Sequence, residues 1–169
     1  MRKNIGNSEL FESTKITVTT NPSRWEFYPD DNLTELGIFP KSRVDLGYYI
    51  DSNITGRFRN FPYADMKKLE ARVCLFKQEI TQGDIIKECQ RLGIYKKYKL
   101  GAALILIGKM IKTGVIKKGG FGLIIYIEEE WDTKPCMLSV WQEERGLVKI
   151  LCRKVDLADI RDAGDGFLF

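Results

Sequence analysis

The most apolar stretch of the chain, Leu100 to Ile111, is interrupted only by Lys109. It covers about half of the ~20 residues that a membrane span requires. It therefore reads as a helix of a soluble protein, running from about Tyr98 to Thr113 and ended by Gly114. At 169 residues the chain fits one domain or two small ones. A chain of this size buries about 70% of its unfolded surface and needs no disulfide or metal staple.

The segments before the apolar run also carry helical signals. Met66, Leu69, Val73 and Phe76 fall on one helical face and predict a helix over about 64–78. Thr81 with Asp84 three positions on resembles a capping box, opening a helix that turns Ile85, Ile86, Cys89 and Leu92 inward. Gly93 stands where a left-handed residue is wanted. The first sixty residues read instead as short strands and loops. Lys15 to Thr20, Arg24 to Tyr28 and Arg43 to Ile50 each alternate apolar and polar residues.

Beyond the apolar run, Val115 to Lys118 and Phe121 to Ile127 predict two strands joined by Gly119-Gly120. A second hairpin follows the acidic run Glu128-Glu129-Glu130. A loop centred on Glu144 puts Cys136, Leu138 and Val140 on one face with Val148, Ile150 and Cys152, and pairs Cys136 with Cys152. Met137, Ser139 and Trp141 lie on the other face.

Charge is unevenly spread. The chain has 27 Lys+Arg and 23 Asp+Glu, a formal charge of +4. From Cys89 to Ile127 there is no acidic residue, while eight bases lie there, so this segment is +8 and the remainder −4. A concentrated basic segment is the footprint of a polyanion-binding surface. Histidine is absent, which excludes Ser-His and Cys-His nucleophile pairs, His-ligated zinc and an imidazole base. The four cysteines form no C-x-x-C, so neither a metal nor a cofactor is expected. No apolar leader follows Met1-Arg2-Lys3-Asn4, and a cytoplasmic location with reduced thiols is the expectation.

The stretches TQGDIIKECQRLG, YKLGAALILIGKMIKTG and VIKKGGFGLIIYI, in that order, resemble the winged-helix DNA-binding superfamily. The resemblance implies that the Tyr98–Thr113 helix is a recognition helix and the glycine-tipped hairpin a wing. Lys96, Lys97, Tyr98, Lys99, Lys109, Lys112, Lys117 and Lys118 would then contact nucleic acid. One feature departs from the pattern. Gly101, Ile105 and Gly108 make the middle of that helix face small and apolar, where sequence readers present polar side chains. These three residues either leave DNA to be bound by backbone and shape, or pack on the β-rich flanks or a partner chain.

Three other features each carry a functional and a plainer reading. Arg57-Phe58-Arg59-Asn60-Phe61 and Tyr95-Lys96-Lys97-Tyr98-Lys99 interleave bases and aromatics as single-strand binders do, but also as ordinary in-out patterns do. The acidic tail ending at Phe169 resembles the protein-recruiting tails of single-stranded-DNA-binding proteins, against a simple docked segment. Glu128, Glu129, Glu130 and Asp132 do not converge on a strand, which argues for a solvated turn over a metal-dependent nuclease.

The sequence thus predicts an α+β protein. A β-rich region 1–61 precedes a winged helix over 62–130, with a C-terminal β-hairpin and acidic tail over 131–169. The expected function is non-enzymatic nucleic-acid binding, DNA foremost, as a transcriptional regulator or replication accessory factor. The alternative is a protein-interaction or homodimerisation module that docks through the apolar face of the third helix. No membrane partner is expected.

Overall fold

A computed structural model describes residues 5–20, 48–50, 69–116, 119–144, 146 and 148–169. The described strands are β1 (Phe11–Thr20), β2 (Tyr48–Ile50), β3 (Leu69–Phe76), β4 (Ile80–Thr81), β5 (Leu123–Trp131), β6 (Lys134–Gln142), β7 (Val148–Lys154), β8 (Ile160–Arg161) and β9 (Gly166–Leu168). The described helices are α1 (Gln82–Arg91) and α2 (Leu100–Lys112). Seven strands form one mixed sheet in the order β1-β3-β9-β5-β6-β7-β2, and β4 pairs with β8. Strand β9 runs parallel to β5, as β2 does to β7, and the other neighbours are antiparallel.

This architecture overturns the central winged helix. The helix expected over 64–78 is strand β3 where it is described. Its helical stripe was selected from a segment that is apolar on both sides. Ala71 and Val73 enter one core, Cys74 and Phe76 the other. A strand covered on both faces loses the alternation that distinguishes it from a helix. The wing is also absent. Strand β5 pairs with β6 and β9, and Val115 and Ile116 lie in no strand. Lys117 and Lys118 lie outside the described residues, as do the segments 24–28 and 57–61.

One helix lies on each face of the sheet. Helix α2 packs Leu100, Ala103, Leu104, Leu106, Ile107 and Met110 against Val18, Val73, Ile125, Leu138 and Ile150. From Leu100 to Met110 every residue except Lys109 is buried, the condition of a helix that is apolar all round. Helix α1 covers part of the opposite face with Ile85 and Cys89, above Phe11, Phe76, Ile124, Tyr126 and Phe167. Its cap is as expected: the Thr81 hydroxyl accepts from the Asp84 N–H at 3.2 Å. Gly93 follows the helix at φ 63°.

The 3-10 turn Ile5–Asn7 leads to Ser8, which ties the N-terminal segment to α1. Its buried hydroxyl accepts from the Phe11 N–H at 3.1 Å and donates to Glu88 Oε1 at 2.7 Å. Arg91 also donates to Glu88, through Nε at 2.6 Å and Nη2 at 2.7 Å. The Arg91 bond, helped by Ser8 and opposed by burial, holds the Glu88 carboxyl at about 2 rather than 4.5. A carboxyl depressed in the folded state adds stability above its unfolded value and loses it as pH falls through the folded value. Denaturant midpoints measured between pH 4.5 and about 2 are therefore expected to fall less steeply in Glu88→Gln. Parallel acid limbs for variant and parent would contradict the assignment.

The C-terminal half corrects two further expectations. Strand β5 continues through the acidic run to Trp131, and Asp132 and Thr133 alone form the turn, at φ 49° and 61°. The next hairpin turns the predicted residues to the predicted faces, but its register differs by two. Leu138 opposes Cys152 and Cys136 opposes Lys154. A shift of two preserves every facing, so the apolar pattern cannot detect it. The tail, by contrast, is the docked segment that the sequence favours over a recruiting one. Strand β9 lies between β3 and β5, with Phe167 and Leu168 buried on opposite faces.

Candidate ligand-binding cleft

The described basic residues singled out from the sequence do not gather on one recognition face. Lys96 is exposed, with Nζ 4.5 Å from the centre of the Tyr98 ring and 3.3 Å from the Glu70 carbonyl oxygen. Tyr98 itself is buried at 3% exposure and joins Ile127 in a parallel bridge, so it has no face for a base. Lys97 is half-buried. Lys99 is exposed at the N-cap of α2, and Lys109 is exposed near the other end, ~15 Å away along the axis at 1.5 Å per residue. Lys112 is the last residue of α2.

Gly101, Ile105 and Gly108 are buried within the chain. The apolar face proposed for docking is already covered, so a partner cannot reach it without opening the fold. Of the acidic run, Glu129 has a structural role that its position did not reveal. Both its carboxylate oxygens lie 2.9 Å from the Leu100 N–H and cap α2, whose own N-cap Lys99 makes no side-chain cap. Burial raises the Glu129 carboxyl, and the Leu100 hydrogen bond works against that. Asp132 pairs with Lys154 at 2.9 Å. Among the described residues no three potential ligands gather to hold a metal.

A more coherent site lies on the α1 side of the sheet, beyond the reach of that helix. On strand β6, Met137 packs in the core beneath α1, and Ser139 and Trp141 continue the same face into a cleft of about 290 Å³. Arg153, Arg161 and Asp165 also line it. The register explains how they meet. Arg153 opposes Met137 across β6 and β7, and so sits diagonally from Ser139. Arg161 reaches over from β8, its Nη2 3.9 Å from the Met137 sulfur and its Nε 3.4 Å from Gln82 Oε1. Gln82 is buried and donates in turn to the Tyr126 hydroxyl.

The polar groups of this cleft are unequally satisfied. Asp165 accepts from the Gly122 N–H at 2.7 Å, and burial raises its carboxyl. A Cβ on Gly122 would stand 3.1 Å from that carboxylate, which is why glycine suits this approach. Arg161 has Asp159 at 3.6 Å. Arg153 is exposed, with no ion pair or hydrogen bond among the described residues. Ser139 is 6% exposed, and its hydroxyl has no partner among the described residues. Native interiors seldom leave a buried hydroxyl unpaired, and the free group points to a ligand or ion. Trp141 is half-buried at the rim, with Lys149 Nζ 5.9 Å from its ring centre and Lys149 paired to Glu143.

The alternation of β6 already placed Ser139 and Trp141 on one face. Nothing local in the sequence linked them to Arg161 or Asp165, which arrive through the β8–β9 return. Comparison with protein-family models, curated proteins and solved structures found no match for the chain.

Proposed function

We propose that the chain is a non-enzymatic nucleic-acid-binding protein that takes single strands across the sheet face at Trp141. The observation that carries this reading is a half-buried tryptophan at the cleft rim, with Lys149 and Arg153 on the same sheet face and Arg161 lining the cleft. Stacking of bases on aromatic side chains, flanked by cations that follow the backbone, is how single strands are held without reading a groove. The +8 segment supplies a favourable field for a polyanion.

The buried thiols argue against cysteine as a nucleophile. Burial pushes Cys74 up to about 12 and raises Cys89 and Cys136, which removes the thiolate a nucleophile needs. None of the four cysteines is in a disulfide, which fits the reducing cytoplasm proposed as its setting. No helix among the described residues is long and apolar enough to cross a membrane. A role beside exposed single strands, in replication or in regulation of transcription, accords with this mode of binding.

Fluorescence anisotropy with single-stranded and duplex oligonucleotides at two salt concentrations tests the proposal. Tighter binding of the single strand is expected, and Trp141→Ala should weaken it by roughly tenfold to a hundredfold, since a stacked base contributes ~1–3 kcal/mol. Binding that ignores Trp141→Ala but disappears when Lys96, Lys97 and Lys99 become Glu would return the surface to the start of α2.

A further inference from the structure

We infer that the floor of the cleft is a phosphate-recognition pocket in which the Ser139 hydroxyl and the Arg153 and Arg161 guanidiniums converge on one phosphate group. The inference deepens the single-strand reading, because a strand stacked on Trp141 carries phosphates past these three groups.

The Ser139 hydroxyl is the first support. It is enclosed, lies on a residue that lines the cleft and has no partner among the described residues. An unpaired buried hydroxyl is costly unless a ligand completes it, and a phosphate oxygen accepts the hydrogen bond it has to give. The guanidiniums are the second. Arg153 stands across the strand pair from Met137, and Arg161 rests on the sulfur of the same residue. Both arginines line the cleft that Ser139 lines, and the register puts Arg153 on the same sheet face as Ser139. Planar guanidiniums match phosphate oxygens through paired hydrogen bonds.

Arg153 is uncommitted among the described residues. Arg161 holds its carboxylate only loosely, at 3.6 Å from Asp159, while its stem is fixed against Gln82 and Met137. Asp165 is the one acidic group in the lining, and its Oδ1 is engaged by the Gly122 N–H. Burial raises its carboxyl, while the Gly122 hydrogen bond and the Arg161 charge work against that.

Amide NMR of the full chain tests the pocket with two phosphate sources, inorganic phosphate and an unlabelled single-stranded oligonucleotide. Saturable shifts at the Ser139 and Gly122 amides are expected with both. Ser139→Ala and Arg153→Gln should each weaken inorganic phosphate by roughly tenfold, the loss typical of one hydrogen bond to a charged group. Neither variant removes a bond found within the described fold, and their unchanged thermal midpoints would separate lost binding from lost folding. No saturable shift at Ser139 with either source overturns the pocket. If inorganic phosphate saturates it while no oligonucleotide binds, the pocket stands and the single-strand reading fails. If the oligonucleotide binds through Trp141 but ignores both variants, the reading stands and the pocket is overturned.

Discussion

Phe167→Ala is expected to remove about 4 kcal/mol of folding stability, the range for a large aromatic deleted from a closed core. In a domain of this length that corresponds to a thermal midpoint lower by roughly 8–16 °C. The Phe167 ring is buried at 1% exposure. It stacks on Phe76 at 5.9 Å and tilts against Phe11 at 5.0 Å and Phe169 at 5.8 Å. Through Phe11 and Phe76 it joins the first and third strands, so truncation leaves a void between segments distant in sequence. Urea unfolding with matched slopes measures the loss. A change below about 1 kcal/mol, the ordinary effect of a surface substitution or less, would show that β9 does not lie inside the sheet.

Gly166→Ala should destabilise almost as much, by about 3 kcal/mol, although it adds a single methyl group. A Cβ at Gly166 would stand 2.4 Å from the Cys74 carbonyl oxygen and 3.0 Å from Leu75 Cδ2. The first contact is with backbone in the neighbouring strand β3, which cannot rotate away as a side-chain end can. Strand β9 would have to separate from β3, breaking the pairing of Gly166 with Leu75. Gly164 provides the contrast. It has φ 89° and nothing within 4 Å of an added Cβ, so alanine there should cost only ~1–2 kcal/mol of left-handed strain. Equal losses at the two positions would show that the close approach at Gly166 is not what selects glycine there.

Both effects fall in a segment whose sequence suggests a tail. Residues 156–169 are acidic and contain glycine, and the strand they hold is only three residues long. Alternation cannot be read from so short a strand. Phe167 and Leu168 are adjacent apolar residues that enter different cores, which a linear pattern does not distinguish from a sticky terminus. Strand β3 shows the same ambiguity at greater length. Its apolar residues at 69, 71, 73, 74, 75 and 76 contain a helical stripe and an alternating one together. Only coverage by α1 on one side and α2 on the other shows why both sets are needed.

The candidate site was legible in part. The facing of Ser139 and Trp141 follows from the match of apolar residues between the two strands of the hairpin, because residues two apart on a strand share a face. The basic segment is a charge excess of the sequence, but its described lysines are dispersed once folded. Lys99 and Lys109 stand near opposite ends of α2, and Tyr98, expected among the contacts, is in the core. Charge per segment is a property of composition, whereas a binding surface is a property of arrangement.

What the sequence by itself determined were the features held by neighbours a few residues apart. These are the buried helix α2, the Thr81 cap and left-handed Gly93 bounding α1, and the two faces of the β6–β7 hairpin. Capping, periodicity and glycine conformation act over one or two turns of chain, so they leave a local mark. The tertiary structure alone decided the exchange of an expected helix for β3, the two-residue register, the insertion of β9 and the meeting of Ser139, Arg153 and Arg161. Each of these depends on which distant segment covers a face or pairs with an edge. Burial on both faces erases the periodic signal that would otherwise have announced it.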